Sequence, residues 1–267
     1  MLKKIYEKNR LYFALIWIAL YIVIMNIALQ VCGGFDHLAE KTVPQLLAPV
    51  GCIALLSAAL TLWIAKNGQR EAVGLVPFRG KGRGFLWFAP LILLSCINLK
   101  NGLALSAPLP QSLLMMVNLA AAGYVEEIIF RGFLFRAMAQ SNLKSAVIVS
   151  AVTFGAGHIV NLANTADTAG VLLQVCYAIA IGFLYTAIVY RGGSLWPCIA
   201  SHMFVNATSV FAPAQGPFTQ GVQALLGDGP LIAEAVSAGL VILLSGGYAL
   251  WIGQKAKMSA REKTPAA

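Results

Sequence analysis

Eight long apolar runs limit what this chain can fold into: Leu11–Val31, Pro44–Ala65, Phe85–Leu105, Gln111–Gln140, Ser145–Val160, Gly170–Tyr190, Ser194–Ala212 and Pro230–Gly253. About 20 apolar helical residues cross a hydrocarbon core ~30 Å thick. Inside that core the backbone must satisfy its own hydrogen bonds, so the segments that cross it are helices or closed barrels. Runs of this length predict an all-α fold, a polytopic membrane helix bundle of about eight transmembrane helices. Charged residues make up 11% of the 267 residues, against roughly 25% in a soluble domain. No linker or repeat divides the chain, so residues 1–267 are read as a single integral membrane domain.

The net charge of +9 would suit a nucleic acid, but the placement of the charges argues for a topology signal. All but three of the 19 Lys and Arg fall in the termini, in alternate connections, or at the helix ends beside them. Lys41 and Lys100 fall on the opposite side, and Arg131 lies inside a run. That asymmetry follows the positive-inside rule and predicts both termini on the cytoplasmic side (N-in/C-in). Compact connections and the lack of a targeting extension predict a bacterial inner membrane. The first run is too long for a signal-peptide core and is expected to remain as a span. The five cysteines, Cys32, Cys52, Cys96, Cys176 and Cys198, form no CxxC and read as small buried residues, with neither a disulfide framework nor a zinc-thiolate site.

The fourth run breaks the apolar rule with YVEEIIFRGFLFR, Tyr124 to Arg136. A charge near the bilayer centre costs roughly 2.5–3.5 kcal/mol on insertion scales, so Glu126, Glu127 and Arg131 need partners. Glu127 and Arg131 are i, i+4 and share a helix face; they read as a structural pair. Glu126 points about 100° away and is left for chemistry. The fourth run is also too long for the core, and is expected to tilt, to kink near Gly123 or Gly132, or to project into the cytoplasm.

The other strong polar groups in the runs are His158 in the fifth and His202 and Asn206 in the seventh. Phe154 and His158 are i, i+4, as are His202 and Asn206. Counted from the cytoplasmic ends at ~1.5 Å per residue, all of these groups fall at comparable depth. A carboxylate and a neutral imidazole can hold a water and take its proton. A second imidazole and an amide can donate to a developing oxyanion. No HExxH and no GxSG-type elbow is present, so water is the expected nucleophile.

In EExxxR at Glu126–Arg131, FxxxH at Phe154–His158 and HxxxN at His202–Asn206, the chain resembles the CPBP (CAAX protease and bacteriocin-processing, Abi) family of intramembrane proteases, related to the CaaX prenyl protease Rce1. GGSLWPCIASH before His202 is similar too, and the matched core covers about 111–210. The resemblance implies a membrane-embedded endopeptidase with Glu126 as the base and His158 holding the water. It implies His202 and Asn206 as oxyanion stabilisers, and Glu127, Arg131 and Phe154 as residues that shape the site. The family is often labelled metalloprotease, and Glu126, His158 and His202 could ligate zinc; the expectation carried forward is that no cofactor is required. The expected partners are the lipid bilayer and a membrane-associated peptide or protein substrate, with no nucleic acid. Two other readings stay open at this point: a non-catalytic membrane binding or immunity protein, and an ion-coupled transporter, since intramembrane carboxylates and histidines also mark ion pathways.

Overall fold

The computed structural model describes residues 2–78, 88–229 and 231–262, and among them every regular element is helical. A short α1 (Leu2–Lys8) leads into α2 (Arg10–Val31), then α3 (Val43–Lys66) and a single turn, α4 (Arg70–Val73). After α5 (Ala89–Ser95) and a 3₁₀ stretch (Ile97–Asn101) comes α6 (Leu109–Glu127). It continues without a break through a π-helical stretch, Ile128–Phe135, into α7 (Arg136–Ala139). The rest is α8 (Leu143–Gly157), a 3₁₀ stretch (His158–Ala163), α9 (Thr168–Gly192), α10 (Trp196–Ser209), α11 (Pro217–Leu226) and α12 (Ile232–Glu262).

The helix starts carry their own caps, which matters where first-turn N–H groups have no helical partner. Asn9 accepts from the Tyr12 N–H at 2.9 Å, Asn142 from Ser145 at 3.0 Å and Asp167 from Gly170 at 2.8 Å. Gln45 reaches back to the Thr42 N–H at 2.8 Å, the return arm of a capping box.

Six helical segments among the described residues are long and apolar enough to cross a membrane: Arg10–Val31, Val43–Lys66, Leu109–Ala139, Leu143–Ala163, Thr168–Gly192 and Ile232–Gln254. Two of the eight expected spans differ. The third, Phe85–Leu105, begins outside the described residues, as do Arg79, Lys81 and Arg83 of the basic loop before it; Pro230, expected to open the eighth, and Lys263 also lie outside. The described part of the third is α5 and the 3₁₀ stretch, where polar side chains turn onto neighbouring backbone. Asn98 donates to the Val205 carbonyl at 2.7 Å, and Asn101 to the Thr219 hydroxyl at 2.8 Å. The seventh is α10, 14 residues or about 21 Å, shorter than the hydrocarbon core.

Contacts between the connections sort into two ends. At one, the Leu195 N–H donates to the Gly74 carbonyl at 2.8 Å, Arg136 donates to the Gly193 carbonyl at 2.8 Å, and Ser194 donates to Val76. At the other, the Phe35 N–H donates to Asn164 at 2.7 Å, the Ala104 N–H to Phe211 at 2.8 Å, and Asp36 accepts from the Thr165 hydroxyl and the Ala166 N–H. Consecutive segments therefore run between two opposite ends, α5 and α10 included.

The outer flanks are apolar: Leu55 is 72% exposed and Leu243 73%, while Glu127 and Arg131 are 0%. That is the distribution lipid solvation favours, and the chain is an integral membrane protein. Cys32 and Cys198 are buried as expected; Cys96 and Cys176 are exposed on the bundle surface, and none of the five forms a disulfide. The long fourth segment changes its winding around Gly132, in the π-helical stretch Ile128–Phe135. Such stretches recur at functional sites.

Small residues let α8 and α9 touch backbone to backbone. A Cβ on Gly155 would stand 2.7 Å from the Ile179 nitrogen, and one on Gly182 would stand 2.9 Å from the Ala151 Cα. This is close small-residue packing of the kind membrane helices use, and it fixes the height of Phe154 and His158. Gly155→Ala and Gly182→Ala should each cost about 1–3 kcal/mol by overpacking, read as lower thermal stability in detergent. Gly51→Ala, with nothing within 4 Å of its Cβ, should melt as the wild type does.

Candidate active site

At the last α-helical turn of α6, two carboxylates leave one helix in different directions. Glu127 points into the bundle. Its Oε1 accepts from Arg131 Nη1 at 2.8 Å and from His202 Nδ1 at 2.9 Å, with Glu127 and Arg131 fully buried. The i, i+4 pair expected from the sequence is present, and His202 from α10 is its third member. A carboxylate oxygen accepts only, so His202 Nδ1 carries the proton of that bond. Arg131 lies under aromatic faces, its guanidinium carbon 4.1 Å from the Phe154 ring centroid and 5.5 Å from that of Tyr185. These cation–π contacts add to the ion pair around a charge that has no water to face.

Glu126 leaves α6 one position earlier and reaches towards α2 and the other nitrogen of the His202 imidazole. Its Oε2 lies 3.5 Å from His202 Nε2 and accepts no hydrogen bond among the described residues. Its Oε1 accepts from the hydroxyl of Tyr21 on α2. Glu126 is therefore not free, as its position on the helix had suggested. His202 stands between the two carboxylates, one at each ring nitrogen.

His158 opens the 3₁₀ stretch after α8. Its Nδ1 is 3.0 Å from the Phe154 carbonyl oxygen. A carbonyl accepts, so Nδ1 carries the proton, and in the neutral ring Nε2 presents its lone pair. The Phe154 ring stands edge-on to both imidazoles, with centroids 5.1 Å from His158 and 5.6 Å from His202. Phe154 thus separates the two histidines and roofs Arg131. Glu126 and His202 both lie close enough to His158 to act on it electrostatically.

The approach of α10 to α6 depends on Gly123, where a Cβ would stand 3.2 Å from His202 carbon atoms and from the Met203 nitrogen. Asn206 is one turn from His202, and its amide donates to the Leu119 carbonyl at 3.0 Å. It braces α10 against α6 and lies outside the hydrogen-bonded group at Glu126, with its second amide N–H left over.

Tyr185 and Ser201, which the sequence reading passed over, form a polar chain behind the site. The Ser95 hydroxyl donates to the Leu91 carbonyl at 2.7 Å, so Ser201 donates to Ser95 at 2.7 Å and Tyr185 donates to Ser201 at 2.9 Å. The chain ties α5, α10 and α9 together beneath Arg131. A hydroxyl-bearing residue on a buried helix stripe was the signal available for Tyr21, Tyr185 and Ser201.

Among the described residues no three of His, Cys, Asp and Glu stand together as a metal ion would need. Glu126, His158 and His202, the set expected to hold zinc if a metal were used, do not form such a group.

Removing Arg131 would leave Glu127 buried without its strongest partner. Breaking a buried ion pair from one side costs about 3–5 kcal/mol. Arg131→Ala should fall in that range by thermal unfolding in detergent, and Arg131→Ala with Glu127→Gln should cost less than Arg131→Ala alone.

No curated protein and no solved structure matches the chain. A family model does: residues 108–208, which hold the Glu126–Arg131, Phe154–His158 and His202–Asn206 segments, match the Rce1-like family, type II CAAX prenyl endopeptidases, the kinship that the three motifs implied.

Proposed function

We propose that this chain is an intramembrane endopeptidase of the CAAX-protease type, acting on a membrane-associated peptide or protein. One observation carries the reading. Glu126 of α6 and His202 of α10 meet beside Phe154, whose ring also touches His158, and there a carboxylate oxygen that accepts no hydrogen bond among the described residues, Glu126 Oε2, faces an imidazole nitrogen at 3.5 Å. The family match over residues 108–208 spans every one of these residues.

The chemistry needs no cofactor. A water held between Glu126 Oε2 and the His158 Nε2 lone pair gives its proton to Glu126 as its oxygen adds to the peptide carbonyl carbon. The carbonyl oxygen, now negative, is met by His202. Its Nδ1 proton is committed to Glu127, and a proton on Nε2 makes it a cationic donor flanked by carboxylates. The free amide N–H of Asn206 serves as a second donor once substrate reaches its level. The tetrahedral adduct then expels the amine, and Glu126 returns the proton to the leaving nitrogen. Water is thereby divided between the new carboxyl and the new amine.

The same reading places both termini on the cytoplasmic side of a bacterial inner membrane. The end of the bundle with Arg136, Gly193 and Leu195 is then cytoplasmic, and the end with Asp36, Asn164 and Phe211 is external. Eight segments then alternate in direction, with α5 and α10 short and lodged among longer helices.

A comparison of protein N-termini in membranes expressing the wild type or Glu126→Gln at equal level tests the function. Losing a general base costs about 10²–10⁴ in rate, so new termini should arise from the wild type and vanish in the variant. Identical sets of termini would overturn the reading. Adding a metal chelator should leave the wild-type termini unchanged; their loss, with recovery on adding zinc, would overturn the metal-free mechanism.

A further inference from the structure

Glu126 has two carboxylate oxygens in different surroundings. Oε1 accepts from the Tyr21 hydroxyl, while Oε2 faces His202 without a hydrogen bond. A glutamate side chain has three rotatable bonds, and holding one oxygen decides where the other points. We infer that Tyr21 is the positioning residue of Glu126: its O–H holds Oε1 so that Oε2 is the oxygen that takes the proton of water. This rests on the protease reading above.

Tyr21 lies far from the residues 108–208 that match the family model, so the docking of α2 has to bring it in. Phe13, Trp17, Tyr21 and Met25 recur every fourth residue on one stripe of α2, and Phe13, Trp17 and Met25 are buried. Phe13 meets Phe133 of the π-helical stretch edge-on at 5.1 Å and Trp63 of α3 at 4.6 Å. Tyr21 is eight residues past Phe13, and Glu126 is seven before Phe133. At ~1.5 Å per α-helical residue the first offset is about 12 Å, and the second, mostly π-helical, is comparable but shorter. Two antiparallel helices pinned at Phe13 and Phe133 therefore bring Tyr21 level with Glu126. In an otherwise apolar stripe, Tyr21 contributes the hydroxyl.

Among the described residues no other charged or titratable group bonds Oε1 of Glu126; His202 Nε2 faces Oε2, at 3.5 Å. Glu127 and Arg131 are committed to each other, and His202 Nδ1 to Glu127. His158 turns its Nδ1–H onto the Phe154 carbonyl. Tyr21 is the hydrogen-bond donor to the Glu126 carboxylate among the described residues. An O–H donated to a carboxylate is a short, charge-assisted bond, well suited to fixing a rotamer in a site of low polarity.

The test uses a quenched fluorescent peptide built on a site found by the N-terminus comparison, with full-length protein in detergent micelles. Tyr21→Phe should lower kcat ~10–100-fold, the scale of a misplaced reacting group, with KM within about twofold. Tyr21→4-aminophenylalanine, which keeps an N–H donor at the same place, should recover most of that kcat. Tyr21→4-fluorophenylalanine, which fills the volume without donating, should not recover it, and stands in if Tyr21→Phe fails to fold. An unchanged kcat, a rise in KM alone, or a loss that the amino variant does not recover would each overturn the positioning role. Those outcomes leave the protease reading standing as long as Glu126→Gln is inactive. Identical termini from wild type and Glu126→Gln would instead remove the protease reading, and the role of Tyr21 with it.

Discussion

The buried group of Glu127, Arg131 and His202 is the interaction on which the rest of the site depends. It binds α6, the π-helical stretch and α10 at one point, with bonds of 2.8 and 2.9 Å. A charge placed there alone would be expelled or neutralised. Each of the three is stable in the membrane because the other two are present. The cost of gathering them is offset partly by hydrogen bonds and partly by the Phe154 and Tyr185 rings over Arg131. The consequence for chemistry is orientation: once Nδ1 of His202 is held by Glu127, its Nε2 faces Glu126.

Much of this could be read from residue types and spacing, for a physical reason. In lipid, polar groups are rare enough that each needs an explanation, and i, i+4 spacing is a strict rule on a helix. Glu127 with Arg131 followed from those two facts, and so did the separate direction of Glu126. What could not be read was which helix supplies the partner across a gap. His202 was read as an oxyanion donor with no partner assigned to it, and it bonds Glu127 as the third member of the pair. Tyr21 was invisible because tyrosine is common in apolar stripes and spacing within α2 says nothing about the helix opposite. The short length of α10 escaped notice because residues 194–212 are apolar enough to pass for a span, and hydropathy does not register where a helix stops.

The winding of the fourth segment shows how geometry and chemistry are joined. A uniform α-helix through Phe135 would keep a constant advance per residue, and a π-helical stretch changes it just after Glu127. The change begins where the chain has delivered both carboxylates and must still present Arg131 inward and Phe133 outward to α2. Arg131 then bonds Glu127 while Phe133 packs on Phe13. One stretch of altered winding thus serves the buried ion pair on one side and the docking of α2 on the other. That is a reason for the two to stand or fall together.

The site is organised by division of labour among equivalent atoms. Each carboxylate has one bonded and one unbonded oxygen: Glu127 Oε1 is bonded and Oε2 is not, and Glu126 Oε1 is bonded while Oε2 is not. Each imidazole has its Nδ1 committed, His158 to a backbone carbonyl and His202 to Glu127, which leaves Nε2 for the site. In water such assignments would exchange freely, because solvent would replace any lost partner at little cost. In a bundle surrounded by lipid, turning a ring or a carboxylate means breaking a bond with nothing to replace it. Low polarity, which makes these side chains costly to place, also keeps their reactive atoms pointed one way.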